Sequence, residues 1–156
     1  AILDYVQIGE PMDGLTPPQR VEANLADKVL LMGHEGVPAL MEANQDIHLT
    51  LYWQALAQME ADYTVFIHLV DEVGQTVAQH DGEPLLGFYP TSFWDDGEVV
   101  RDEYEVHVHP SAPGGEYELV VGMYLLSTGE RLPVLDEGGR AIDDLVSLGK
   151  VVLVER

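Results

Sequence analysis

"VVRDEYEVHVH", residues 99–109, decides the fold, because its apolar side chains recur at every second position. Val100, Tyr104, Val106 and Val108 fall on one side, and Arg101, Glu103, Glu105, His107 and His109 on the other. Period two belongs to an extended strand with one face toward a core and one toward water. "IHLTLYW", residues 47–53, repeats the pattern, with Ile47, Leu49, Leu51 and Trp53 opposed to His48, Thr50 and Tyr52. "YELVVGMYL" does so again through Tyr117, Leu119, Val121, Met123 and Leu125.

Further strands are predicted in "KVLLMGH" from Lys28, both arms of "YTVFIHLVDEVGQTVAQHDGEP" (63–84), "RLPV" from Arg131 and "GKVVLVE" near the end. "DEVGQ", "LSTGER", "HPSAPGGE" and "DEGGR" separate them, each placing Gly where a turn needs positive φ. About eight strands at this spacing predict an all-β chain, an antiparallel two-sheet immunoglobulin-like β-sandwich. Helix is scarce: "QALAQMEA", 54–61, has helical composition for about two turns and reads better as a crossover. Residues 1–20 read as a lead-in strand or linker, and 21–156 as the sandwich domain.

Composition narrows the partners. The 28 acidic residues against 7 basic ones give a formal charge of −21, which repels phosphate backbones and anionic headgroups and argues against nucleic acid and peripheral membrane binding. Cations and neutral ligands such as sugars fit that surface better. The absence of cysteine excludes thiolate metal sites, disulfides and a Cys nucleophile. No apolar stretch reaches the ~20 residues that cross a bilayer, so this segment itself is not expected to insert. The first residues, "AILDY", lack an initiator Met, from which we expect a fragment or processed product with any membrane span upstream.

The 63–84 stretch is the first candidate for chemistry. A three-residue loop of Glu72, Val73 and Gly74 predicts Val65 opposite Asp81, Ile67 opposite Gln79 and Leu69 opposite Val77. That register puts Phe66, His68, Ala78 and His80 on one face, His68 and His80 being diagonal neighbours roughly 7–8 Å apart that could share a ligand or a metal. Asp81 then points away from His80, which leaves no His–Asp pair there. A two-residue turn would slip the pairing by one and part the two histidines.

Other constellations are weaker. His107 and His109 share a strand face but offer only two ligands for zinc. The acids Asp95, Asp96, Glu98, Asp102, Asp136, Glu137, Asp143 and Asp144 are of the kind calcium prefers, yet match no EF-hand spacing. Ser92, Ser111, Ser127 and Ser147 sit in no nucleophile elbow. No catalytic residue, metal site or cofactor is therefore assigned, and the chain is read as a non-enzyme. In "GFYPTSFWDDGE", Phe88, Tyr89, Phe93 and Trp94 crowd one loop; Tyr89, Phe93 and Trp94 either stack on sugar rings or plug an end of the sandwich.

"LTLYWQAL", "DYTVFIHLVDEVGQTVAQHDGEP", "YPTSFWDDGEVVRDEYEV", "GGEYELVVGMYLLSTGERLPV" and "DDLVSLGKVVL", in that order, resemble a C-terminal β-sandwich domain of bacterial membrane glycosyltransferases similar to the dolichyl-phosphate-mannose-protein mannosyltransferases. The likeness spans roughly residues 21–154. It implies an extracytoplasmic, non-catalytic accessory domain tethered through an upstream membrane region of the same polypeptide, positioning glycan or protein acceptor. It assigns no residue a role. The alternative is a free-standing carbohydrate-binding module using the loop aromatics; a metal-dependent hydrolase on His68 and His80 is a third.

Overall fold

A computed structural model describes residues 16–155. Twelve strands follow one another: β1 Gln19–Leu25, β2 Val29–Glu35, β3 Leu40–Glu42, β4 Asp46–Ala55, β5 Thr64–Val70, β6 Thr76–Gly82, β7 Val99–His107, β8 Gly115–Leu125, β9 Glu130–Arg131, β10 Val134–Leu135, β11 Ala141–Asp143 and β12 Val146–Val154. They form two sheets, ordered β11-β10-β1-β2-β4-β7 and β3-β12-β8-β5-β6, with β9 alongside β8. Every pairing is antiparallel except β3 with β12. The chain is thus an all-β, two-sheet sandwich. Seven expected strands are β2, β4, β5, β6, β7, β8 and β12, and the eighth, "RLPV", falls in the short β9 and β10; β3 and β11, of three residues each, are too short to show a period.

Alternation places the core as expected. Ile47, Leu49, Leu51 and Trp53 of β4 and Val100, Tyr104 and Val106 of β7 face Val65, Ile67 and Leu69 of β5 and Leu119, Val121 and Met123 of β8 in one apolar cluster. Burying a side chain of this size contributes roughly 1.5–3 kcal/mol, so this layer is the main favourable term.

β5 departs from simple alternation, because Phe66 is buried on the outer face of its sheet. Gly122 makes room for it: a Cβ there would lie 2.5 Å from Phe66 Cε2. The Arg131 guanidinium covers the ring 4.2 Å from its centroid. "QALAQMEA" is not helical; β4 runs on through Ala55, and the following crossover buries Met59. "RLPV" splits into β9 and β10 around Pro133, which cannot donate to a ladder. β1 starts at Gln19, inside the expected 1–20 lead-in, whose residues 1–15 lie outside the described residues. Among the described residues, no helix is long and apolar enough to cross a membrane.

Candidate functional site

The hairpin of β5 and β6 has the expected loop and an unexpected register. Asp71 N donates to Gln75 O at 3.0 Å, and Asp71 Oδ1 accepts from Val73 N at 3.0 Å and Gln75 N at 2.8 Å. Gly74 closes the loop at φ 84°. Val70 pairs with Thr76, but Leu69 pairs with Ala78, so Val77 is one residue too many on β6. A β-bulge of this kind shifts all later pairs by one. Val65 consequently faces Gly82, Ile67 faces His80 and Phe66 faces Asp81. The bulged Val77 turns its carbonyl to the other sheet, accepting from His109 N at 2.9 Å beside a bridge between Ala78 and Val108.

The slip corrects the two-histidine reading: His68 and His80 stand on opposite faces and share no ligand. His80 turns toward the sandwich flank, its ring edge-on to Tyr104 with centroids 5.1 Å apart. Asp81 instead joins the face of His68, and His68 Nε2 lies 3.1 Å from Asp81 Oδ1. Tyr124 donates to Asp81 Oδ2 at 2.8 Å, and Gln79 Nε2 to Oδ1 at 3.2 Å. Burial, with the Asp81 hydrogen bond and charge behind it, raises the Tyr124 hydroxyl pKa above its ordinary 10.0. This His–Asp–Tyr contact ties three strands together over the Phe66 ring, and its polar groups satisfy one another.

The β6–β7 loop holds the aromatic candidates. Leu85 and Leu86 both lie in the left-handed region, at φ 54° and 56°, a conformation that costs L-residues roughly 1–2 kcal/mol each. Asp102 offsets this cost from β7. Its carboxylate is wholly buried and accepts from Leu85 N at 2.9 Å, Trp53 Nε1 at 3.3 Å and Tyr104 OH at 2.5 Å. Burial lifts its pKa to about 7, although the three donors pull the other way.

Further along the loop, Trp94 Nε1 donates to Tyr89 O at 2.9 Å, and Tyr89 OH to both Glu98 carboxylate oxygens at 2.8 Å. Thr91 Oγ1 donates to Ala61 O at 2.7 Å and accepts from Tyr63 N at 3.0 Å. These buried bonds pin a loop whose Leu86, Phe88 and Phe93 are 71%, 70% and 65% exposed. Trp94, by contrast, is 0% exposed. It plugs the core, so the expectation that it could stack on a sugar is corrected. Phe93 stands in solvent, and Tyr89 is half-buried with its ring 6.4 Å from that of Trp94.

The other candidates serve the fold. His107 is held between Asp46 and Asn44, and His109 Nδ1 accepts from Ser111 N at 3.0 Å. Asp136 caps its own turn through Gly138 N and Arg140 N, and Asp144 pairs with Arg131 at 3.3 Å. Among the described residues, no three His, Asp or Glu side chains are grouped to hold a metal. Two buried polar groups escaped the sequence reading of inward faces. Asp102 sits between Val100 and Tyr104, and His34 lies opposite Leu51 with an unpaired Nδ1. Alternation along β7 was the signal that could have found Asp102.

No family model and no curated protein matches the sequence. Among solved structures, the CARDB domain of the PF1109 protein from Pyrococcus furiosus, described in complex with di-metal ions, is similar over 93% of this chain and 100% of its own, at 11% identity and a TM-score of 0.44. AvmM, described as catalysing macrocyclization in alchivemycin A biosynthesis, is similar over 90% of this chain and 97% of its own, at 12% identity and a TM-score of 0.43.

Proposed function

We propose that this chain is a non-catalytic, extracytoplasmic accessory domain of a membrane-bound glycosyltransferase, which positions an acceptor glycan or polypeptide for the membrane region of the same polypeptide. The observation that carries this reading is the β6–β7 loop. Buried polar groups hold it in a strained shape while Leu86, Phe88 and Phe93 point into water. Strain and exposed apolar side chains both cost stability, and binding is a use that offsets them. The ordered resemblance of five sequence segments supplies the glycosyltransferase setting.

Two measurements test the reading. The reading frame upstream should encode several apolar segments of ~20 residues, and a frame without them overturns it. In the full-length enzyme, Phe88→Ala with Phe93→Ala should raise the acceptor KM several-fold with kcat little changed. An unchanged KM counts against a positioning role.

The same two solvent-facing rings favour a second reading, a free-standing carbohydrate-binding module. Oligosaccharide titration followed by NMR of the Phe88 and Phe93 rings tests it, and no shift at either ring rejects it. Tryptophan fluorescence is a poor reporter here because Trp94 is buried.

A further inference from the structure

The connection from β7 to β8, 108–114, folds back against the bulged start of β6. Val77 O accepts from His109 N at 2.9 Å, and Ala112 N donates to His109 O at 3.0 Å. Tyr117 OH holds the rest of the connection through Pro113 O at 2.6 Å. Between these two fixed walls lies a groove of 540 Å³, within the size range of small-ligand sites. Ala78 is buried and Val77 and Ala112 are half-buried, so its floor is apolar. Gln75, Gln79, His109 and Ser111 are exposed and make a polar rim.

The groove wall carries no Asp, Glu, Lys or Arg. In a chain with 28 acids this sets it apart, because three other hollows among the described residues hold Glu42 and Glu155, Asp46, or Glu103 and Glu105. A cation finds no carboxylate here; an anion finds no base and meets the field of a chain of charge −21. A wholly apolar ligand would strip water from the rim without replacing its hydrogen bonds. An extended peptide finds the main-chain groups of Val77 O and His109 N already spent on each other.

A neutral ligand with C–H groups on one face and oxygens around its edge fits both floor and rim, and that is the chemistry of a sugar ring. Ser111 N donates to His109 Nδ1 at 3.0 Å, so the neutral His109 ring carries its proton on Nε2, a donor with no partner among the described residues. Gln79 Nε2 is bonded to Asp81, which leaves its Oε1 as an acceptor. The Gln75 side-chain amide has no partner among the described residues and offers both. His107, its ring nitrogens held by Asp46 and Asn44, adds only a carbon edge.

The geometry points to this groove as a binding site for a neutral saccharide of one or two rings, with a ring face on Val77, Ala78 and Ala112 and hydroxyls on His109, Gln75 and Gln79. No residue of the β6–β7 loop lines it, so the inference stands whether or not Phe88 and Phe93 bind a ligand.

The probes are two matched pairs: cellobiose with cellobiouronic acid, and N,N′-diacetylchitobiose with its deacetylated, cationic form. Each is titrated into the whole chain to ~10 mM, enough to fill most of a millimolar site, and followed by amide chemical shift. At least one neutral member should shift the amides of 75–79 and 107–112 as one saturable set, and its charged counterpart should do so several-fold more weakly. His109→Ala and Gln75→Ala, at exposed positions, should each weaken binding several-fold with thermal unfolding little changed. Gln75→Glu should move the preference toward the deacetylated chitobiose, which a purely structural role for Gln75 would not do.

No shift at these amides from either neutral disaccharide overturns the proposal, and so does equal binding by the charged counterpart. Shifts confined to the Phe88 and Phe93 rings place the sugar on the β6–β7 loop; they overturn the groove and leave the loop reading intact. A capped neutral peptide, Gly-Ser-Gln-Ser-Gly, that shifts the same amides at lower concentration than the sugars would assign the groove to a polypeptide, and also overturns it.

Discussion

The backbone N–H of Leu85 donates to Asp102 Oδ1 at 2.9 Å, joining the strained loop to the middle of β7. The same carboxylate takes the Trp53 indole and the Tyr104 hydroxyl, so one buried acid holds a loop and two core rings. Asp102→Ala leaves three donors without an acceptor. A buried unsatisfied donor costs about 1–3 kcal/mol, and part of the loss is recovered because a desolvated acid disappears. We expect a net loss of roughly 2–4 kcal/mol in urea unfolding. The Leu85–Gly87 amides should also exchange faster, which loss of core packing alone would not single out.

Asp102 and His34 give stability opposite slopes with pH. The Asp102 pKa is raised from 3.8 to about 7, chiefly by burial, so the folded state holds its proton more tightly than the unfolded state. Its contribution is most favourable below about 4 and is lost as pH rises toward 7. Burial lowers the His34 pKa from 6.5. Its contribution is present above 6.5 and is lost as pH falls through the lowered value. Unfolding free energies between pH 4 and 8 should separate the two. The advantage of the native protein over Asp102→Asn shrinks as pH rises, and its advantage over His34→Leu shrinks as pH falls.

Phe66 and Gly122 form a couple. Gly122→Ala drives a Cβ into the Phe66 ring, and overpacking of this kind costs about 1–3 kcal/mol. In the background of Phe66→Ala the same change should cost far less. A double-mutant cycle on thermal unfolding checks this, and additive losses would disprove the contact.

The strand content was legible because β4, β7 and β8 alternate over seven residues or more. The hairpin register was not. Glu72, Val73 and Gly74 turn as their sequence predicts, but the bulge at Val77 lies in "QTVAQHD", with no Gly or Pro to mark it. One unmarked residue separated His68 from His80 and joined His68 to Asp81. Asp102 was hidden differently: in a chain with 28 acids, an aspartate beside Glu103 looks like surface, although its parity with Val100 and Tyr104 points inward. The left-handed Leu85 and Leu86 had no local signal, since leucine does not favour that region and only the tertiary bond from Asp102 explains it.

Deleting Val77 should remove the bulge and leave every later pair in place, Leu69 with Ala78, Ile67 with His80 and Phe66 with Asp81. NMR should therefore keep the Tyr124–Asp81 hydrogen bond, while the His109 amide, whose acceptor is Val77 O, should exchange faster. Stability should fall by roughly 1–3 kcal/mol, and loss of the Tyr124–Asp81 bond would disprove the bulge as the cause of the register.

The main-chain stitch that the bulge makes, from Val77 O to His109 N, fastens the two layers along one flank. At the other, Leu132 N bonds to Met123 O of β8 while the next carbonyl, Pro133 O, accepts from Ala26 N at the end of β1. Each margin of the sandwich is thus sewn by backbone, and prising the layers apart from either side must first break a main-chain hydrogen bond.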